Sequence, residues 1–207
     1  MMDLFESSVS NTSTSIQGPL ADRLRPKSLE DFVGQEEYAS SSAAVIRSLE
    51  QHAYLPNLIL WGPPGVGKTT LATIIANQLE RPFFTLSAIN SGVKDIRETI
   101  SKAKSNQFFS RANPILFIDE IHRFSKSQQD SLLGAVEKGI ITLIGATTEN
   151  PSFEVISALL SRCQTYILKE QTKEDLLKLI DIALTQDEEL KTKNVVIKEY
   201  ESLLQLS

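Results

Sequence analysis

The sequence contains a single cysteine, Cys163, among 207 residues. That excludes an internal disulfide framework, and a lone thiol suits a reducing compartment. The two histidines, His52 and His122, stand far apart with none of the cysteine or carboxylate spacing of a zinc site. No run of about 18 apolar residues occurs, so no membrane-spanning helix and no membrane partner are expected. Residues 1–17 lack the basic start and apolar core of a secretory signal, and a cytoplasmic chain is expected. Basic charge is not in excess: 21 Lys and Arg against 26 Asp and Glu leave a formal net charge of −5. A field of that sign opposes nucleic acid, so any binding of it must use a local basic surface.

What is present is the composition of a soluble globular protein, with 41% hydrophobic and 23% charged residues. Residues 1–17 are rich in Ser, Thr and Asn and are expected to be a disordered tail, with order beginning near Gly18. From Leu58 onward, short apolar runs alternate with helical patterns. Strands are predicted over 58–61, 83–86, 115–118, 141–144 and 165–168, and helices over 68–79, 93–104, 126–136 and 153–160. Continuous apolar strands separated by amphipathic helices predict an α/β fold, a five-stranded parallel sheet with helices on both faces. After residue 168 only helical patterns remain, over 172–184 and 198–206. The expected division is a tail (1–17), an α/β core (18–168) and the start of a small all-helical domain (169–207).

Gly62-Pro63-Pro64-Gly65-Val66-Gly67-Lys68-Thr69 fits the phosphate-binding P-loop at every fixed position, and Thr70 continues into the predicted helix. Glycines let backbone N–H groups curl around phosphate oxygens, and the helix N-terminus adds its positive dipole. Lys68 is expected on the β and γ phosphates of ATP, and the Thr69 hydroxyl on Mg²⁺. A Gly-Pro turn that merely precedes a helix is the lesser reading, because strand, loop and helix agree with the mechanism. Ile115-Leu116-Phe117-Ile118 runs into Asp119-Glu120, two carboxylates too costly to bury inside a sheet and so expected at its C-terminal rim. Asp119 is expected to hold Mg²⁺, and Glu120 to activate the water that attacks the γ phosphate. A further strand ends in Thr147-Thr148-Glu149-Asn150, where Thr148 is the candidate for holding that water from its other side. By itself a Thr at a strand end is a weak signal.

Three longer stretches add a resemblance. They are Pro19-Leu20-Ala21-Asp22-Arg23-Leu24-Arg25-Pro26, His122-Arg123-Phe124-Ser125-Lys126-Ser127-Gln128-Gln129-Asp130, and Gly145-Ala146-Thr147-Thr148-Glu149-Asn150-Pro151-Ser152-Phe153-Glu154. With the P-loop they resemble the AAA+ ATPases of the clamp-loader and Holliday-junction-motor branch. Within it they resemble the replication-associated recombination protein A family, whose eukaryotic relatives are the Werner-helicase-interacting ATPases. The resemblance runs from Gly18 to about Leu168.

It implies an AAA+ P-loop fold followed by a helical lid, and a box over the adenine formed by Arg25, Pro26, Val33 and Gly34. It implies that Arg162, in Ser161-Arg162-Cys163, reaches the nucleotide of a neighbouring subunit. It also implies DNA on the helix starts at Lys94, Arg97, Arg123 and Lys126, where a set of solvated helix charges is the plainer alternative. The function implied is a DNA-dependent ATPase at stalled replication forks and in recombination and repair. Its full-length form would be a nucleoid-associated homo-oligomer that meets DNA forks, gaps or ends and replication proteins such as single-strand-binding protein. A nucleotide-gated scaffold at forks, or a clamp-loader or branch-migration motor subunit, are the alternatives. The family's Gly-Asp-Ala-Arg lid motif does not occur before Ser207, so the chain is expected to be an N-terminal fragment, weakly active or inactive alone.

Overall fold

The computed structural model describes residues 18–34, 55–107, 113–193, 195 and 197. The expected tail (1–17) and the second lid helix (198–206) lie outside the described residues. A short helix, α1 (Leu20–Arg23), precedes strand β1 (Asn57–Trp61). Then come α2 (Lys68–Gln78), β2 (Phe83–Ser87), α3 (Val93–Gln107) and β3 (Ile115–Asp119). A 3₁₀ turn (Ile121–Arg123) leads to α4 (Lys126–Glu137) and β4 (Thr142–Thr147). Two short helices, α5 (Pro151–Glu154) and α6 (Ser157–Leu160), precede β5 (Cys163–Ile167), and α7 (Lys173–Gln186) and α8 (Glu188–Thr192) follow.

The expected five-stranded parallel sheet is present, in the order β2-β3-β4-β1-β5 with every pair parallel. Its apolar strands carry side chains to both faces. Leu58, Leu60, Phe117, Ile144 and Ala146 pack with Ala72, Ile75 and Ala76 of α2. Ile59, Leu116, Ile118 and Leu143 face Ile96 and Ala103 of α3 and Leu132 and Val136 of α4. All six residues of β4 are buried, as befits the central strand. Gly145 lies within it because a Cβ there would stand 2.9 Å from Ile59 Cδ1 and 3.1 Å from Ile121 Cδ1.

Ser125 and Gln128 form a capping box on α4, and Thr172 and Asp175 form one on α7. Several boundaries depart from expectation. Strand β4 runs to Thr147, and β5 begins at Cys163, two residues before the predicted start. The helix predicted over 153–160 is two helices, with Val155 and Ile156 extended between them. Buried Gln129 supplies the reason: its Nε2 donates to the Glu154 carbonyl at 3.0 Å and its Oε1 accepts from Ile156 N–H at 2.8 Å. A side-chain amide from α4 thus takes the backbone groups that a continuous helix would have paired internally.

Candidate active site

In this strand order β4 lies between β1 and β3, so the P-loop, Asp119-Glu120 and Thr147-Thr148 emerge at one edge of the sheet. Two backbone bonds tie the P-loop there, Gly62 N–H to the Thr147 carbonyl at 3.2 Å and Leu168 N–H to the Trp61 carbonyl at 2.7 Å. Gly62 is pressed against Leu168, whose carbonyl oxygen would stand 2.3 Å from any Cβ. At Gly67, which caps α2 with φ 91°, the Phe32 ring closes over the backbone, 2.8 Å from where a Cβ would be. Pro63, Pro64 and Gly65 form the outward part of the loop, and Val66 anchors it in the core.

Lys68 is buried, and its Nζ donates to the carbonyls of Gly62 and Pro63, each at 2.7 Å. Burial lowers its pKa, and the charges of Glu120 and Asp119 work against that shift. Burial also raises the Asp119 pKa, helped by the Glu120 charge and opposed by Lys68. An acidic residue crowded in this way gains from a nearby cation. Thr69 and Asp119 supply a hydroxyl and a carboxylate, a hard oxygen donor set that suits Mg²⁺ completed by phosphates and water. Among the described residues no cluster of three His, Cys, Asp or Glu side chains offers an all-protein metal cage.

Glu120 heads the 3₁₀ turn with a left-handed backbone, φ 55° and ψ 48°. Its Oε2 accepts from the Thr148 hydroxyl at 3.3 Å and lies 3.2 Å from His122 Nδ1. The structure therefore brings Thr148 to Glu120, and adds His122 and Thr147, to which no role was assigned from the sequence.

A cavity of about 430 Å³ opens beside the P-loop, within the usual size of small-molecule sites. Arg25, Pro26, Val33, Gly67 and Thr70 line it, together with Leu24, Phe32, Leu179 and Ile182. Gly34 does not line it; its left-handed backbone (φ 89°) lies against Gln171 and Asp175 instead. Leu179 and Ile182 come from α7, so the helical segment after the sheet walls the cavity. An apolar helix face gives no local signal of that duty. A second unforeseen contact holds the wall: Arg23 Nε and Nη2 donate to Asp187 at 2.8 and 3.0 Å, and Nη2 reaches Glu189 at 3.0 Å.

Arg162 is not part of this cluster. Its carbonyl accepts from Asn57 Nδ2 at the start of β1, a strand length of about 13 Å from the P-loop end. Its guanidinium pairs with Glu137 at 2.7 Å and donates to the Ala158 carbonyl at 2.6 Å. Lys94, Arg97, Arg123 and Lys126 are all exposed. Gln128 Nε2 donates to the Ser91 carbonyl at 3.0 Å and so ties the start of α4 to the approach to α3.

Residues 58–171, spanning all five strands and this edge, match the ATPase family associated with various cellular activities, AAA. The chain belongs to the AAA family. Among AAA relatives, it is 51% identical over 170 residues to replication-associated recombination protein A of Coxiella burnetii, covering 82% of this chain and 38% of that protein. It is 49% identical over 181 residues to ATPase WRNIP1 of Dictyostelium discoideum, covering 87% of this chain and 20% of that protein. The Thermotoga maritima RuvB Holliday junction branch migration motor superposes with a TM-score of 0.66 and 33% identity, over 78% of this chain and 54% of that one. The resemblance read from the sequence is thus borne out. The chain spans well under half the length of these curated relatives. Among the described residues no helix is long and apolar enough to cross a membrane.

Proposed function

We propose that this chain is the nucleotide-binding core of a Mg²⁺-dependent, DNA-dependent ATPase acting at stalled replication forks and in recombination and repair. The observation that carries the reading is the meeting of P-loop, Asp119-Glu120 and Thr148 at one sheet edge beside a mostly apolar cavity. The base occupies that cavity against Arg25, Pro26 and Val33, and the phosphates lie in the loop from Gly62 to Thr69. Lys68 exchanges its two carbonyl partners for phosphate oxygens. Thr69 and Asp119 would hold Mg²⁺, which when bound would neutralise phosphate charge. Glu120 takes the proton of the attacking water, and Thr148 holds the same carboxylate at the γ-phosphate end. Two neighbouring carboxylates favour hydrolysis over transfer to a second substrate, because a base for water is built in.

Arg162 acts on the nucleotide of a neighbouring copy, since it stands at the far end of β1 from its own P-loop. Lys94, Arg97, Arg123 and Lys126 contact DNA phosphates without reading bases. The name of the relative from Coxiella burnetii supports a replication and recombination setting. The full-length form is a homo-oligomer that meets replication proteins such as single-strand-binding protein. The decisive experiment is ATP turnover by the full-length protein with and without forked or gapped DNA. Stimulation by DNA that disappears in Arg162→Ala is expected. Turnover indifferent to DNA would leave a nucleotide-gated scaffold as the better reading.

A further inference from the structure

His122 is nearly enclosed, its side chain 8% exposed, at the point where the ends of β3 and β4 meet. Its Nδ1 lies 3.2 Å from Glu120 Oε2 and 3.0 Å from Thr147 Oγ1. The Thr147 hydroxyl donates its one hydrogen to the Glu149 carbonyl at 3.1 Å, which leaves its oxygen to accept. A carboxylate also only accepts. Both neighbours therefore require a hydrogen on Nδ1, which sets the ring's tautomer.

The ring is held in place from behind. Ile121 is fully buried against Gly145, where the missing Cβ leaves it room. Arg123 N–H donates to the Glu120 carbonyl at 2.8 Å and closes the turn that swings His122 back over Glu120. Glu120 Oε2 thus meets two groups from different elements: the Thr148 hydroxyl beyond β4 donates to it, and Nδ1 of His122 on the 3₁₀ turn, hydrogen-bonded to Thr147, lies 3.2 Å away. Oε1 is the oxygen left to take a proton from water.

We propose that His122 is a positioning residue: with Thr148 it holds Glu120 Oε2 and so aims Oε1 at the attacking water. This rests on the reading of Glu120 as the group that activates water. The atom that matters is Nδ1. An asparagine side chain places its amide nitrogen where Nδ1 stands, whereas glutamine places it where Nε2 stands.

Turnover and ATP affinity of the full-length protein test the proposal, affinity being read with a fluorescent ATP analogue. His122→Ala is expected to lower kcat by up to about 100-fold, the cost of a misplacement near 1 Å, with ATP affinity unchanged. His122→Asn is expected to recover most of the rate and His122→Gln little of it. If His122→Ala folds poorly, the Asn and Gln pair still decides. Wild-type kcat in His122→Gln, or Asn no better than Gln, would overturn the proposal.

A second readout needs no turnover. With only two histidines in the sequence, nitrogen-15 NMR of the imidazoles is assignable with His52→Gln. An Nδ1–H ring whose shifts move in Glu120→Gln is expected. An Nε2–H ring would overturn the positioning role while leaving the ATPase reading intact. Unchanged turnover in Glu120→Gln would instead overturn that reading, and the role of His122 with it.

Discussion

At Gly62 an added Cβ would stand 2.3 Å from the Leu168 carbonyl oxygen, a backbone atom that cannot rotate away. To admit it, the P-loop must leave the end of β5, the contact that sets the loop's depth. Gly62→Ala is therefore expected to cost about 1–3 kcal/mol in urea denaturation, and to weaken nucleotide binding as well. Gly134 in α4 is the matched control, because no neighbouring atom lies within 4 Å of its Cβ position. Gly134→Ala is expected to stabilise by about 0.4–1 kcal/mol through the unfolded chain. The opposite shifts of Lys68 and Asp119 have a common leading cause, burial, which disfavours the charged form of each.

Among the elements, the break between α5 and α6 depends on one buried side chain. Gln129 Nε2 also donates to the Phe124 carbonyl at 3.1 Å, so its amide joins the turn before α4 to both short helices. Gln129→Ala is expected to destabilise by about 1–3 kcal/mol, since it leaves one buried and two partly buried backbone groups without their partner. The loss is measurable by urea denaturation. The segment around α7 and α8 is held differently, by charge. Arg23 keeps the Asp187 carboxyl below the ordinary aspartate value of 3.8, first through its hydrogen bond. The unfolded chain then binds that proton before the folded one does, so the contribution is full above that ordinary value and lost as pH falls through the folded value. Wild type is expected to melt above Asp187→Asn near neutral pH, with the gap closing on acidification. A gap that is constant down to acid pH would count against the clamp.

For the whole molecule, the separation of Arg162 from its own P-loop has a consequence for assembly. A subunit carrying Arg162→Ala keeps Glu120, and one carrying Glu120→Gln keeps Arg162. Mixing the two inactive full-length variants is expected to restore part of the ATPase activity, because some interfaces then hold one intact residue of each kind. No recovery at any mixing ratio would place Arg162 outside the reaction. In the isolated chain the guanidinium rests on Glu137, an exposed pair worth about 0–1 kcal/mol at most, so little opposes its transfer to a neighbour.

The sequence by itself determined the parallel sheet, the P-loop and the two carboxylates. Each is written in contiguous residues: apolar runs bounded by turns, glycines at fixed spacing, charges at the end of an apolar strand. The capping pairs that the structure shows, Ser125 with Gln128 and Thr172 with Asp175, are likewise local, each pair three residues apart. Only the tertiary structure decided what meets across the chain. That Thr148 reaches Glu120, that Gln129 splits a helix, and that Leu179 and Ile182 wall the cavity in place of Gly34 all depend on partners many residues apart. Such contacts arise from strand order and from packing against the sheet, and neither leaves a mark in local spacing. His122 shows the boundary most clearly: its stretch adds to the resemblance but assigns the ring no role, and it becomes part of the site because β4 lies beside β3.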